Sequence, residues 1–323
     1  MTLTIFWNTR VNPRAEEILR KGTEKHRLII SDSASSSVLA RGVSDSGMGH
    51  ADIAFGQPDP EDCLRSQRLK WIEVSSAGYT RYDTADFFGC LRERSVAFTN
   101  VSSVFADPCA QHVLAMMLAF GRQLLPSFRD QITDQSWHYD ERRYHSRLLT
   151  GQTVVMLGYG AIGRRLSELL KPFGMALYAV RRNPAIEADV TVVDFSSLDG
   201  LLANADHIVN ILPANQSTAG YCGAQFFSKC RPGARFYNVG RGSTVDQDAV
   251  AGALRSGILD AAYLDVTEVE PLPPENELWR VPNCFITPHT AGGRHDQDEA
   301  LVCHFLRNLA AFESQQPLVD RVV

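Results

Sequence analysis

The sequence predicts an α/β protein built on doubly wound parallel sheets, and three observations carry that prediction. Short apolar segments alternate with helix-like or irregular ones through the first third of the chain, which implies a parallel sheet covered on both faces. The same alternation starts again at Gly151 and runs to Thr287. Between the first strand and first helix of that second run stands Gly158-Tyr159-Gly160-Ala161-Ile162-Gly163, a GxGxxG. The 323 residues suffice for two ordinary domains, each with its own core.

Leu3 to Trp7, Arg27 to Ile30, Asp52 to Phe55, Trp71 to Ser75 and Val96 to Thr99 read as strands. Pro60 to Gln67 reads as a helix whose first-turn acids complement its dipole. Ser31 to Gly49, rich in Ser, Gly and Asp, reads as turn and loop. Asp107-Pro108 suggests an N-cap followed by proline at the first helical position, opening an oily helix that runs to Leu125. The polar, aromatic stretch Arg129 to Arg147 reads as an excursion from the fold that reaches a partner subunit. Beyond Gly151 the expected strands are Thr153 to Leu157, Met175 to Val180, Val190 to Val193, His207 to Leu212, Ala234 to Val239, Ala261 to Val266 and Cys284 to Thr287. Helices fit at Ala161 to Leu170 and Gln247 to Ser256, and a final one at Asp298 to Phe312 packs back on the first domain.

Composition removes several functions. Apolar residues make up 44% and charged residues 21%, the balance of a globular protein. With 37 acidic against 32 basic residues the formal charge is -5, which offers no general attraction to nucleic acid or an anionic membrane. No charged n-region with an apolar core opens the chain, and the reading finds no apolar run of about 18 residues able to span a bilayer. Seven cysteines, none in a CxxC pair, fit a reducing cytoplasm better than disulfides or structural zinc, and no metal is expected.

In its strand–turn–helix–strand context the GxGxxG reads as a dinucleotide fingerprint. Gly158 permits the tight turn, Gly160 lets the backbone approach a pyrophosphate, and Gly163 lets helix and strand pack closely. Helix amides then meet the phosphate charge. The following strand ends Val180-Arg181-Arg182-Asn183-Pro184 where an acid would accept ribose hydroxyls. Cations there favour a 2'-phosphate and hence NADPH, unless Arg181 and Arg182 are surface charge only.

Reducing a carbonyl beside a carboxylate requires a cation for the carboxylate and carbonyl and a protonated group for the alcohol. Arg241, Glu270 and His289 each follow a predicted strand, where open α/β sheets place ligands. Position alone does not select them from neighbouring polar residues.

Family resemblance does select them. Gly158 to Gly163, Asn238 to Asp246, Leu264-Asp265-Val266 through Glu270-Pro271-Leu272-Pro273, and Thr287-Pro288-His289 together resemble the D-isomer-specific 2-hydroxyacid dehydrogenases over nearly the whole chain. The resemblance implies a Rossmann-type cofactor domain, residues 105–291, inserted into a flavodoxin-like substrate domain of residues 1–104 and 292–323. It implies that Arg241 holds the substrate carboxylate and carbonyl, His289 exchanges the proton, Glu270 pairs with His289, and Asp265 contacts the nicotinamide carboxamide. It places Ser76, Ala77 and Gly78 in the substrate loop. The implied cofactor set is Gly158, Tyr159, Gly160, Ala161, Ile162, Gly163, Arg181, Arg182, Leu212, Pro213, Val239, Gly240, Asp265 and Gly292. The implied activity is reduction of glyoxylate- or hydroxypyruvate-like 2-oxoacids to D-2-hydroxyacids, with NADPH preferred and NADH the alternative. A homodimer through the cofactor domain is implied as well. The competing reading is a dinucleotide-sensing interaction protein that keeps the fold.

Overall fold

Parallel strands buried on both faces need near-continuous apolar runs, and the short segments of the first third meet that need. The computed structural model describes residues 2–35, 43–184 and 186–323. The chain divides into two compact units, Met1–Phe105 with Arg294–Val323, and Ala106–Gly293.

The first unit opens with β1 (Thr4–Thr9), α1 (Pro13–Gly22), β2 (Arg27–Ser35), β3 (Ile53–Gly56), α2 (Pro60–Arg65), β4 (Trp71–Val74), α3 (Ala85–Glu93) and β5 (Ala97–Thr99). The strands form one parallel sheet in the order β2-β1-β3-β4-β5. Asn12 caps α1 and Asp59 caps α2, each with proline in the first turn, where its missing N–H costs nothing. The expected loop from Ser31 needs correction. β2 continues to Ser35 because pairing with β1 resumes after an irregularity, with Thr9 opposite Ser35. Residues 36–42 of that expected loop lie outside the described residues.

The helix α4 (Ser102–Gly121) starts in the first unit and runs into the second. It begins well before the expected Asp107-Pro108 start and holds Pro108 in its interior. Its first turn is capped from outside: Asn100 Oδ1 accepts from the Ser102 amide at 3.1 Å, and Asp320 Oδ2 from the Ser103 amide at 2.8 Å. Those caps offset the helical bond that Pro108 removes. By length and composition α4 could cross a membrane, contrary to the sequence reading. Much of that apolar surface is buried on the second sheet, where Phe120 meets Tyr237 at 5.7 Å and Phe285 at 5.4 Å between ring centroids.

The stretch read as an excursion folds into α5 (Leu124–Thr133) and α6 (Tyr139–His145), neither of which buries a residue. There follow β6 (Thr153–Leu157), α7 (Ala161–Leu170), β7 (Ala176–Val180), β8 (Thr191–Val193), α8 (Leu198–Leu202), β9 (His207–Asn210), α9 (Ala224–Phe227), β10 (Ala234–Asn238), α10 (Gln247–Arg255), β11 (Leu259–Leu264) and β12 (Cys284–Ile286). All seven strands are parallel, in the order β12-β11-β10-β9-β6-β7-β8. This is the dinucleotide-binding order extended by one strand, with the direction of winding reversing between β6 and β9.

The last helix, α11 (Gln297–Glu313), belongs to the first unit and packs on α1. Its Phe305 stacks on Trp71 at 5.3 Å and meets Trp7 and Phe55 edge-on at 5.4 and 5.2 Å. The tail then runs beside β5, with the Phe98 amide donating to Val323 O at 3.0 Å, and so covers a sheet edge that would otherwise stand open.

Candidate active site

Loops at the carboxyl ends of β6, β9, β10, β11 and β12 gather most of the residues singled out in the sequence. Gly158 leaves β6 at φ +93°, and a Cβ there would lie 3.1 Å from the Ile211 carbonyl oxygen, so the turn excludes a side chain on two counts. Gly160 opens α7 without a side-chain cap, and a Cβ at that position would meet open space. A phosphate therefore has both room and unsatisfied helix amides, from Ala161 and Ile162 onward, to approach. Gly163 is buried on the inner face of α7. Tyr159 is also buried, its hydroxyl 3.1 Å from Ser167 Oγ. That leaves only its backbone for any cofactor contact.

At the end of β7 the Arg181 amide donates to Val193 O at 3.0 Å. Its guanidinium has no hydrogen bond or ion pair to another described residue. Arg182 is exposed and donates to Ser217 Oγ. Leu212 is buried after β9, and the Pro213 carbonyl accepts from Thr218 Oγ1 at 2.6 Å. These features fit a dinucleotide: an open glycine turn, an uncapped helix and a free cation where the ribose is expected.

Val239 and Gly240 lead from β10 to Arg241 through a support that sequence reasoning missed. Asn210, Asn238 and Thr244 are fully buried. Asn210 donates to Asn238 Oδ1 at 3.1 Å and to Thr244 Oγ1 at 2.7 Å, and Thr244 donates to the Arg241 carbonyl at 2.6 Å. The Gly240 amide donates to Asn238 Oδ1 at 3.1 Å. A Cβ on Gly242 would fall 1.9 Å from Thr267 O, so only glycine lets this loop lie against the one that carries Glu270. The Arg241 guanidinium donates to Gly240 O at 2.7 Å and forms no ion pair among the described residues. Burial draws its pKa down, against the opposing field of Cys109 and Glu270.

His289 follows β12 in the left-handed region, at φ +54°. Its Nδ1 lies 2.7 Å from Glu270 Oε2, both side chains being about one-third exposed or less, and no described residue hydrogen-bonds Nε2. Glu270 Oε1 accepts from the Thr267 amide at 3.1 Å. Asp265, buried after β11, accepts from Thr287 Oγ1 at 2.5 Å and from the Thr290 and Ala291 amides at 2.8 and 3.0 Å. Gly292 continues that turn, half-buried. The structure thus brings Arg241, Glu270 and His289 onto adjoining loops of one sheet, with one imidazole nitrogen open.

Ser76, Ala77 and Gly78 belong to the first unit, past β4. Gln57 Nε2 donates to Ser75 Oγ at 3.1 Å and Ser76 Oγ at 3.0 Å, Ser76 Oγ donates to Gly78 O at 2.6 Å, and Asn100 Nδ2 donates to Ala77 O at 2.9 Å. Asn8 holds the Gln57 amide at 2.7 Å. Gln57 and Asn100 went unnoticed in the sequence because no local pattern marks them. Tyr79 packs inward on Phe88 and Phe98.

A parallel sheet with an open glycine turn, an uncommitted cation at the end of β7, and a histidine–carboxylate pair with a half-buried arginine on an adjoining loop fits a dinucleotide-dependent oxidoreductase. Residues 114–291 match the family model for the D-isomer specific 2-hydroxyacid dehydrogenase NAD binding domain. The chain belongs to the D-isomer specific 2-hydroxyacid dehydrogenase family. It is 32% identical to the human glyoxylate reductase/hydroxypyruvate reductase, over 77% of this chain and 76% of that protein. Among solved structures, a D-isomer specific 2-hydroxyacid dehydrogenase from Xanthobacter autotrophicus, in complex with NADPH and MES, superposes with a TM-score of 0.83 at 25% identity, covering 100% of this chain and 98% of that one. An NADPH-dependent glyoxylate/hydroxypyruvate reductase from Sinorhizobium meliloti, with NADP and sulfate, gives 0.80 at 25% identity over 99% and 98%. As a family member the chain is an NAD(P)-dependent oxidoreductase of 2-oxoacids and 2-hydroxyacids.

Proposed function

We propose that the protein is an NADPH-preferring reductase of small 2-oxoacids of the glyoxylate or hydroxypyruvate type, forming the D-2-hydroxyacid. The observation that carries this reading is the 2.7 Å His289–Glu270 pair with Nε2 open. The half-buried Arg241 on the adjoining loop supports the same reading. The Gly158–Gly163 turn and the open amides of α7 would hold the dinucleotide, which when bound would supply a hydride for C2 of the oxoacid. His289 gives a proton from Nε2 to the carbonyl oxygen, while Glu270 orients the ring through Nδ1. Arg241 holds the substrate carboxylate and polarises the carbonyl, and a desolvated guanidinium is a stronger clamp than one in water.

The NADPH preference rests on Arg181, whose guanidinium is uncommitted at the end of β7, and the NADPH-bound relatives support it. A charge-assisted bond to a 2'-phosphate contributes about 1.5–3 kcal/mol, roughly tenfold to a hundredfold in selectivity. Kinetics over a panel of 2-oxoacids with both cofactors test the assignment. NADPH should give the higher kcat/KM, and Arg181→Asp should erode that ratio through cofactor KM. An unchanged ratio would reduce Arg181 to surface charge, and absence of turnover across the panel would remove the substrate assignment. The helices α5 and α6 are proposed as the homodimer contact, because Trp137 beside them is 90% exposed and Ile132 81% exposed. Sedimentation of an Ile132→Glu variant, expected to shift toward monomer, tests that contact.

A further inference from the structure

The loop that carries His289 is tied down by a chain of hydroxyls that the proposed chemistry does not use. Thr287 Oγ1 lies 2.5 Å from Asp265 Oδ1 and 2.6 Å from the Tyr263 hydroxyl. A carboxylate accepts, so the Thr287 proton goes to Asp265, and the Tyr263 hydroxyl donates to Thr287 at 2.6 Å, with Asp265 Oδ1 a longer second acceptor at 3.4 Å. Burial raises the Tyr263 phenol well above its ordinary pKa, which keeps that proton in place. The ring of Tyr263 is fixed in turn by His112 of α4, stacked at 5.5 Å and 14°.

Asp265 grips three consecutive amides at the far end of this chain. Its backbone carbonyl accepts from His289 N at 2.8 Å, and its carboxylate accepts from Thr290 N and Ala291 N. Successive amides turned to one side by a left-handed residue make a concave anion site, and here a side chain of the protein itself fills it. A non-glycine residue at φ +54° is held there only if its surroundings over-determine it, and Asp265 does so. Thr287 supplies the Asp265 carboxylate with its shortest hydrogen bond, at 2.5 Å, one assisted by the charge of the acceptor.

We propose that Tyr263 and Thr287 are positioning residues for the reaction, fixing through Asp265 the loop that presents His289. The proposal rests on the reading of His289 as the proton donor. Its consequence is a split in kinetics. Loosening the loop misplaces the imidazole at the moment of transfer, so kcat falls while KM for the oxoacid stays near the parent value.

Thr287→Val removes the donor at nearly constant shape, Thr287→Ser keeps it, and Tyr263→Phe removes the bond to Thr287 and the longer contact with Asp265 while leaving the Thr287–Asp265 bond. In Thr287→Val, kcat is expected to drop about tenfold or more, with Thr287→Ser near the parent and Tyr263→Phe between them. NADPH fluorescence titration reports whether each variant is folded. A second measurement needs no turnover: amide hydrogen exchange at Thr290 and Ala291, with the His289 imidazole resonances by NMR. Exchange should quicken and the resonances broaden or move in Thr287→Val, and return in Thr287→Ser. Parent-like exchange and resonances in Thr287→Val would overturn the positioning role, whether or not the enzyme reduces the oxoacids tried. Quickened exchange with undiminished kcat in an active enzyme would also overturn it. An inactive parent whose loop still loosens in Thr287→Val would instead count against the substrate reading.

Discussion

Each unit contains a histidine bound to carboxylate, and the two are built for opposite ends. In the first unit His304 of α11 is buried, with Nδ1 at 3.0 Å from Glu73 and Nε2 at 3.2 Å from Asp320. Glu73 Oε2 also accepts from Thr99 Oγ1 at 2.9 Å and Asn308 Nδ2 at 2.7 Å, and Asp320 also caps α4. Every polar atom of that cluster joins one chain segment to another. In the second unit His289 spends one nitrogen on Glu270 and keeps the other open. A histidine with both nitrogens engaged holds a fold together; one with a free nitrogen can pass a proton. The pairing with a carboxylate, common to both, does not separate them.

The sharpest test of that contrast is to remove each ring. His289→Ala should lower kcat by about 10²–10⁴-fold while leaving NADPH binding intact, since general acids contribute that much. A near-parental kcat would break the comparison at once. Glu73→Ala should leave kcat per folded molecule close to the parent but cost the first unit about 3–5 kcal/mol, as breaking a buried pair leaves the partner uncompensated. Urea unfolding followed by the fluorescence of Trp7 and Trp71 reads that loss.

A smaller effect separates the two in pH. Burial alone would lower the His304 pKa, but its hydrogen bonds to Asp320 and Glu73 outweigh burial and lift the value from 6.5 to about 9. A raised folded pKa means that the stabilisation is complete below the unfolded value and fades as pH rises through about 9. For Asp320 burial opposes ionisation, yet His304 and Ser103 hold its pKa below the ordinary 3.8, so its contribution fades as pH falls below that range. The urea midpoint of the first unit should therefore be flat between the ordinary values of 3.8 and 6.5, fall as pH rises from 6.5 through about 9, and fall below 3.8. His304→Gln should abolish the alkaline fall. If the alkaline fall survives that change, His304 is not its source.

The contrast also marks how far the sequence could be read. Strands such as Thr153–Leu157 and the helix Ala161–Leu170 were legible to the residue, because buried parallel strands and a glycine turn leave local signatures. The start of α4 was not, since one of its caps, Asp320, lies 217 residues from Ser103. Nor was the continuation of β2, which depends on the neighbour it pairs with. Asn210, Asn238 and Thr244 hold Arg241 from three separate segments, and no spacing rule joins them.

By itself, then, the sequence determined the alternating architecture and the fingerprint turn, and through resemblance it singled out Arg241, Glu270 and His289 as candidates. Those features are local: side-chain period, a glycine where φ must be positive, a motif read in order. Only the tertiary structure decided which histidine keeps a nitrogen free and which is locked at both. That outcome depends on partners distant in sequence, as with Glu73 and His304, 231 residues apart. Burial sets the stakes, because a polar atom removed from water must find a partner or carry the cost of lacking one.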